Sequence, residues 1–551
     1  MLKGVPAAVA AVICLSLAFV VAREAALGLS MPFDMDHFRE VASAQALADG
    51  KGLVDPYYAG ETLWYNPLLA TTIALISRVS GLDVPTAYVQ AGPWLTLAAQ
   101  LAFFAMAARL VGAWPAAIAL AALIFGPPHD VPSWATPAFT LWTFPSAFAS
   151  TFFYGALIVC WIAMGRDGVR WWIAAGVALG VVFLAHSAPA VILGLCMVAA
   201  ALIGVPRGSP RHATNDDRFV QPPVRERLVT VAVSLATALM VSLPLVYSIL
   251  GRYHLHIVNH ESLDFLWGTL EIARLPALLR EGLVSWRGVL QAIGAVVLIT
   301  RASRDRGARL VLYWLAAALL LLGYGYFQQI VGVERARPLL PPHHFFFYVE
   351  AVGHVLTGVG AWAILAGIVR GLAQRVPVPI ARLEPMVCAL AGAGVVAWLV
   401  TANYSAFAMR ADFQEYRREA VGYTDEFART QVLSRLRAET PANAIVLASD
   451  LNSYYRVAPA GRFVVSIPAV QSNPYVTEGG RDADQEAMIQ ALLRRDFATF
   501  NQLADKYGVT NVLLGPEETA QFDSGGPPPG ELTELSRRAG FTIYARRSRG
   551  R

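Results

Sequence analysis

The stretch Met31-Pro-Phe-Asp-Met-Asp-His37 follows the first long apolar run of the chain. It places Asp34, Asp36 and His37 where a membrane helix would meet water. Ionisable side chains are costly to hold at a membrane and usually serve a function there. Two carboxylates and one imidazole suit proton transfer on a substrate that a lipid carries. The aspartates could also simply cap a helix, because a helical pattern follows over residues 38–47.

The composition indicates an integral membrane protein. Of 551 residues, 56% are hydrophobic and 15% are charged, against about 25% charged in ordinary globular domains. Several apolar runs reach the roughly 20 residues that a helix needs to cross a bilayer. The net charge of +5 lies mostly in loops, which favours membrane anchoring and argues against nucleic acid as a partner. The cysteines show no metal-ligand spacing and are interpreted as small core residues: Cys14, Cys160, Cys196 and Cys388.

Eleven to thirteen membrane crossings are predicted from about twelve apolar runs. The first run, near residues 5–22, is predicted to be an uncleaved helix that starts in the cytoplasm. Arginine-rich loops usually face the cytoplasm, and they fix the orientation of the later helices. These loops are 166–170, 207–227, 301–309 and 370–382. The first outward loop then covers about 23–62, and the tail also lies outside.

The tail, residues 405–551, differs in character from the rest of the chain. It is polar, and helical patterns alternate with short apolar, strand-like runs. This alternation predicts a small α/β domain. The expected fold is therefore a polytopic α-helical membrane protein, with a transmembrane domain over 1–404 and a C-terminal periplasmic α/β domain over 405–551.

A second pattern closes the first outward loop. Glu61 is followed by Trp64-Tyr-Asn-Pro-Leu68 at the entry to the second predicted membrane helix. A loop that begins with carboxylates and returns through Tyr65 and Asn66 is expected to form a polar cavity with an aromatic rim. Aromatic rings with hydroxyl and amide partners suit the stacking and hydrogen bonding of a sugar ring.

Together these patterns resemble the GT-C superfamily of membrane glycosyltransferases. The superfamily includes oligosaccharyltransferase catalytic subunits, protein O-mannosyltransferases, lipid A aminoarabinose transferases and mycobacterial arabinosyltransferases. Its members carry acidic residues in the first outward loop and a Tyr/Pro entry to the second helix. The matching residues here are Asp34, Asp36, His37, Tyr65 and Pro67. Asn66 departs from the pattern, because many members have a second Pro or Tyr there.

The resemblance implies sugar transfer from a polyprenyl-phosphate donor to a cell-envelope glycan, lipid or protein. The reaction would take place on the periplasmic side of the bacterial inner membrane, normally with inversion, and an arabinose-type donor is one option. Asp36 or Asp34 would act as the general base on the acceptor hydroxyl. A divalent metal held by Asp34, Asp36 and Asp130 is allowed but not required, since a monophosphate leaving group carries less charge than a diphosphate.

A leaving phosphate requires fixed positive charge near the outer membrane boundary. Arg335 and Arg337, with His343 and His344 shortly after them, are the predicted donors to its oxygens. The simpler interpretation is anchoring of arginines at the lipid headgroups. Basic residues in an outward loop run against the positive-inside trend, however, which favours the phosphate role.

The remaining candidates are substrate contacts. His129 and Asp130 lie in the second predicted outward loop, where the superfamily often places a further acidic residue, although a turn before Pro132 would also explain them. The predicted substrate-binding set is His37, Glu61, Tyr65, Asn66, His129 and Asp130. His186 is interpreted as a packing histidine. The histidine-rich segment 251–264 matches no common metal-ligand spacing.

A non-catalytic alternative stays open, namely a transporter or flippase for lipid-linked sugars, or a subunit that assembles the envelope. A transporter is expected to carry ionisable residues inside its crossings and internal symmetry between its halves. Charges within the apolar runs are nearly absent, and no repeat is visible. These features favour the enzyme.

Overall fold

The computed structural model divides the chain into two units. The first unit contains residues 1–25, 92–243 and 266–414, and the second contains 26–91, 244–265 and 415–551. The residues described are 4–126, 134, 140, 142–166, 168–204, 223–261, 270–332, 335, 340–375, 383–477, 479–527 and 530–547.

The first unit is helical throughout its described part. Its helices are apolar on most faces, as expected for segments that lie in lipid or inside a helix bundle. They are Val5–Ala26, Val84–Val111, Ala113–Phe125, Pro145–Met164, Val169–Ala185, Ser187–Ile203, Val224–Val241, Leu275–Val284, Trp286–Arg301, Arg306–Val331, His343–Ala373 and Glu384–Ala408, with a 3₁₀ turn at Ile272–Arg274. Ala26 of the first of these helices and residues 84–91 of the second belong to the second unit.

Small residues allow the central helix His343–Ala373 to approach its neighbours closely. A Cβ on Gly358 would lie 2.1 Å from the carbonyl oxygen of Pro115, and one on Gly360 would lie 2.0 Å from that of Leu290. Helices in membranes associate through such close backbone contacts, because lipid offers no hydrophobic drive between them. The two glycines therefore fix the packing of helices Ala113–Phe125 and Trp286–Arg301.

The described helices confirm a polytopic, multi-pass membrane protein. Six helical stretches are long and apolar enough to cross a bilayer, or seven if the bent pair Val224–Val241 and Leu243–Arg252 counts as one span. The sequence count of eleven to thirteen is larger because five of its runs form helices shorter than 18 residues: Leu68–Ser80, Ala113–Phe125, Val169–Ala185, Ser187–Ile203 and Trp286–Arg301.

The second unit contains a five-stranded sheet. The strands are β1 (Ile445–Leu447), β2 (Phe463–Val464), β3 (Asn511–Leu514), β4 (Leu532–Arg538) and β5 (Phe541–Arg546), in the order β2-β1-β3-β5-β4. The first three are parallel and β5 is antiparallel to both neighbours. Helices lie between β1 and β2 and between β2 and β3, as the crossover connections of parallel strands require. The α/β character predicted for the tail is confirmed.

The helices that lie wholly or mostly in the second unit come from three parts of the chain. They are Met35–Ala48, Leu68–Ser80, Leu243–Val246, Tyr247–Arg252, Ala411–Thr430, Val432–Glu439, Asp450–Asn452, Ser453–Val457, Gly479–Leu493, Phe497–Tyr507 and Pro516–Ser524, with a 3₁₀ turn at Ala469–Gln471. One sheet face packs against Phe38, Tyr57 and Tyr58 of the first loop. The loop and the sheet thus share one core. The predicted boundary at residue 404 remains a prediction about membrane topology, since these units are defined by packing.

Candidate active site

The tail holds the start of helix Met35–Ala48 in place. The Tyr454 hydroxyl donates to the carbonyl oxygen of Met35 at 2.5 Å. The amides of Ser30 and Met31 donate to the Thr424 hydroxyl at 3.2 and 3.3 Å. Because these contacts join residues 393 to 419 positions apart, the acidic end of the first loop has a fixed position within the second unit.

Asp34 is the N-cap of this helix. Its backbone is extended, and its Oδ1 accepts a hydrogen bond from the Asp36 amide at 2.8 Å. The capping alternative raised by the sequence therefore holds for Asp34. Burial, followed by the negative charge of Asp36, raises the pKa of Asp34 to about 7, so this carboxyl group exchanges protons near neutral pH.

Asp36 is oriented by a buried arginine. One terminal nitrogen of Arg39 lies 3.0 Å from the Asp36 carboxylate, which remains 41% exposed. The Arg39 guanidinium also donates to Gln471 at 3.1 Å, lies 3.9 Å from the ring centre of Tyr65, and approaches Glu40 at 3.7 Å. A planar guanidinium fixed on several sides holds its carboxylate partner in one geometry.

Arg39 was not singled out from the sequence, although its spacing carried a signal. Residues three apart on a helix share a face, and Asp36 and Arg39 have this spacing in Met35–Ala48. Glu40, beside Arg39, is 1% exposed, and burial raises its pKa to about 7. The spacing indicates an ion pair on one helix face, but it does not show that this face is buried.

His37 lies on the same helix as this cluster. It is 1% exposed, and its ring packs against Phe33 and Tyr88 at centroid distances of 5.0 and 5.3 Å. Burial lowers the pKa of His37 to about 3, so the imidazole is neutral at physiological pH. Its predicted contact with substrate remains a prediction.

The buried imidazole predicts a pH-dependent stability. An unfolded histidine binds a proton below about pH 6.5, whereas folded His37 does not until about pH 3. Stability is therefore lost as the pH falls below 6.5, because the unfolded state binds the extra proton. We expect His37→Gln to show a smaller fall in thermal midpoint between pH 7.5 and 5.0 than the wild type. The exposed His260 provides the control, and a His37→Gln profile parallel to that of His260→Gln would contradict the prediction.

A cleft of about 840 Å³ opens beside Asp34 within the second unit. This volume lies in the range of small-molecule sites, about 300–1,000 Å³. The walls combine aromatic, acidic and basic side chains from the first loop, helix Ala411–Thr430 and the segment after β1. They are Phe33, Asp34, Met35, Glu419, Gly422, Tyr423, Glu426, Arg429, Leu451, Tyr455 and Arg456.

The far end of the first loop has a separate set of partners. The ring of Tyr65 stacks on the Arg39 guanidinium, and the next residue in the sequence, Asn66, is buried. Glu61 accepts a hydrogen bond from the Tyr253 hydroxyl at 3.0 Å and lies 3.7 Å from Arg252. The structure thus brings Tyr65 to the Asp36 cluster and connects Glu61 to the histidine-rich segment.

Three of the predicted phosphate ligands, Arg335, His343 and His344, lie in the first unit. His343 and His344 form the first turn of helix His343–Ala373, where the His344 amide donates to the carbonyl oxygen of Pro341 at 3.1 Å. Their ring centroids lie 4.1 Å apart, and His186 lies 4.6 Å from His344. Arg335 is exposed, and its amide donates to Gly332 at 3.1 Å. His186 therefore belongs to a histidine cluster that its sequence context did not indicate.

Three predicted site residues, His129, Asp130 and Arg337, lie outside the described residues. Within the part of the chain that the structure describes, no group of three or more His, Cys, Asp or Glu side chains could hold a metal ion. The metal ligation predicted for Asp34, Asp36 and Asp130 remains a prediction.

Comparison with known proteins relates the chain to solved structures. No family model and no curated protein match the sequence. Apo ArnT from Cupriavidus metallidurans superposes with a TM-score of 0.56 at 16% identity, over 97% of each chain. The Archaeoglobus fulgidus oligosaccharyltransferase gives 0.52 at 12% identity, over 98% of this chain and 74% of that one. The chain has the GT-C fold.

AftD, a mycobacterial arabinofuranosyltransferase, is a third GT-C neighbour. It gives a TM-score of 0.51 at 14% identity, and the match covers 98% of this chain but 40% of the longer AftD chain. ArnT has also been solved bound to undecaprenyl phosphate, and that structure superposes with a TM-score of 0.54. The resemblance inferred from the first loop is thus confirmed for the fold.

Proposed function

We propose that this protein is a GT-C glycosyltransferase that uses a polyprenyl-phosphate sugar. The acceptor is a cell-envelope glycan, lipid or protein, and transfer takes place on the periplasmic face of the bacterial inner membrane. The observation that carries the proposal is the carboxylate of Asp36, which the buried Arg39 holds at the start of a helix. The N-cap of that helix, Asp34, lines a polar cleft. A GT-C neighbour binds undecaprenyl phosphate and another binds dolichol phosphate, which supports the class of donor.

The proposed reaction is a single displacement. The acceptor oxygen forms a bond to the anomeric carbon of the donor as its proton passes to a carboxylate. The bond between that carbon and the phosphate oxygen breaks, and its electron pair leaves on the polyprenyl phosphate. The configuration at the anomeric carbon inverts, and the proton is later released to water.

Asp36 is the proposed general base. A base must be oriented as well as basic, and a third group usually supplies the orientation. Arg39 does this for Asp36, whose carboxylate remains partly exposed. The cap explains the presence of Asp34, and its proposed role is to maintain the helix start and contact the substrate.

The leaving phosphate requires positive partners. We assign this role to His343 and His344 at a helix start in the first unit, with Arg335 and Arg337 from the preceding loop. Imidazolium and guanidinium groups form charge-assisted hydrogen bonds to phosphate oxygens. Tyr65, Asn66, Glu61 and His37 of the first loop, with His129 and Asp130, remain the proposed substrate contacts.

Sugar transfer can be tested directly with the purified full-length protein in lipid nanodiscs. It is incubated with radiolabelled polyprenyl-phosphate sugars, including an arabinose donor, and a cell-envelope extract. We expect label to pass from one donor into a glycan, lipid or protein product while polyprenyl phosphate is released in equal amount. Donor binding or movement across the bilayer without transfer would favour the flippase alternative, and the enzyme proposal would then be wrong.

A further inference from the structure

One side of helix Ala411–Thr430 forms the floor of the cleft beside Asp34. Glu419, Gly422, Tyr423 and Glu426 all line the cleft, and their spacing of three, four and seven residues places them on one helix face. Most of this face carries groups that hydrogen-bond or stack. It therefore presents a polar surface to whatever occupies the cleft.

The opposite side comes from the segment that follows β1. Leu451, Tyr455 and Arg456 line the cleft there. Tyr455 and Tyr423 stack with ring centroids 5.8 Å apart and an angle of 27° between their planes. Both tyrosines are only partly buried. The cleft thus has an aromatic platform built from both walls.

Gly422 lies on the same helix face, and the space beside it is open. A Cβ on Gly422 would meet no atom within 4 Å outside its own helix backbone. Glycine inside a helix is unfavourable relative to alanine, and here no close helix contact offsets that cost. A side chain larger than that of alanine at this position would therefore extend into the cleft.

The lining limits the chemical class of the occupant. Three carboxylates and two guanidinium groups face the cleft: Asp34, Glu419, Glu426, Arg429 and Arg456. Arg456 is already paired with Glu426. This balance disfavours a phosphate group. Carboxylates and an aromatic pair instead suit the hydroxyls and the ring of an uncharged sugar.

We propose that this cleft binds a sugar residue of the acceptor. Tyr423 and Tyr455 stack on its ring, Glu419 and Glu426 accept hydrogen bonds from its hydroxyls, and Gly422 leaves space for it. Asp34 at the edge of the cleft places the bound hydroxyls next to the start of the helix that carries Asp36. This inference rests on the transferase function proposed above and names the acceptor as a glycan or glycolipid.

Gly422 offers a matched pair of variants. Gly422→Ala adds one atom in open space and should fold at least as well as the wild type, since alanine favours the helix. Gly422→Trp places a large ring in the cleft. Binding of methyl glycosides of arabinose, mannose, glucose and galactose is measured by saturation-transfer NMR on the full-length protein in nanodiscs, without maltoside detergents, whose headgroups are sugars.

At least one glycoside should bind the wild type and Gly422→Ala equally, and Gly422→Trp should bind it at least about tenfold more weakly. Tyr455→Phe, which keeps the ring, should retain binding, whereas Tyr455→Ala should lose it. This second pair keeps the test valid if Gly422→Trp has a lowered thermal midpoint. No binding of any glycoside to the wild type, or equal binding across each pair, would overturn the inference.

The acceptor assay separates this inference from the proposed function. If the wild type transfers sugar and Gly422→Trp raises the KM for acceptor with little change in the KM for donor, both proposals hold. If transfer occurs with unchanged acceptor KM, the inference about the cleft is wrong and the function remains. If glycosides bind and no donor is used, the cleft is a sugar site and the transferase function is wrong.

Discussion

Replacing Asp36 with Asn should reduce sugar transfer by about a hundred- to ten-thousand-fold, the usual contribution of a positioned acid–base group. Asn keeps the size of the side chain and a partner for Arg39, but it cannot accept the acceptor's proton. Initial rates at saturating donor and acceptor measure the effect on kcat. The variant should retain its thermal midpoint within a few degrees, because its carboxylate is partly exposed.

Asp34→Asn is the matched control. Asn caps helices about as well as Asp, so the hydrogen bond to the Asp36 amide is retained, and the expected loss of rate is less than about tenfold. The two variants remove the same charge two residues apart. If Asp34→Asn abolishes transfer and Asp36→Asn does not, the base has been assigned to the wrong carboxylate.

Arg39→Met should lower the stability of the second unit by about 3–5 kcal/mol, the usual cost of leaving a buried charge without its partner. Arg39 and Glu40 are both buried, and Met keeps the apolar length of the arginine but no charge. The cost should be larger at pH 8 than at pH 5.5, because Glu40, with a pKa raised to about 7, is protonated at the lower pH. Thermal unfolding monitored by limited proteolysis at both values measures it.

Two further variants serve as controls for the stability loss in Arg39→Met. Arg437→Met breaks an ion pair with Asp49 whose arginine is 39% exposed, and exposed pairs contribute about 0–1 kcal/mol. Arg39→Met combined with Glu40→Gln should recover part of the lost stability, since the unpaired acid is removed. Equal losses for Arg39→Met and Arg437→Met would contradict a buried, charge-dependent role for Arg39.

The sequence predicted the membrane class, the α/β tail and the acidic loop because each depends on local patterns. Apolar runs mark helices, and polar alternation marks the sheet. The packing of the first loop against the tail could not be predicted, since contacts such as Tyr454 with Met35 join residues 419 positions apart. No periodicity encodes that pairing.

Some residues of the candidate site could likewise be predicted from the sequence and others could not. Asp34, Asp36 and Tyr65 could be found as polar residues at a predicted helix boundary, whereas Arg39 and Glu40 resemble the ordinary exposed charges of an amphipathic helix. Contacts with Gln471 of the tail and with Tyr65 of the first loop cover Arg39. Likewise Gly422 has no signal in sequence, because a glycine is informative only when the space beside it is known.

The number of membrane crossings could not be predicted from the sequence for a different reason. Hydropathy counts apolar residues but does not report where a helix ends, and several runs form helices of 13 to 17 residues. In the run near 228–250, two helices meet at a bend of 76° after Val241. Backbone geometry at such breaks depends on packing that a one-dimensional pattern does not contain.

Sugar transfer by this loop is tested most directly by measuring the release of polyprenyl phosphate from a labelled polyprenyl-phosphate sugar by the full-length protein in nanodiscs, with and without acceptor. We expect the wild type to release polyprenyl phosphate only with acceptor and in an amount equal to the sugar transferred, and we expect almost no release by Asp36→Asn. Release that proceeds equally in Asp36→Asn would contradict the assignment of chemistry to this loop. A wild type that binds the donors but never releases the phosphate would contradict the enzyme itself.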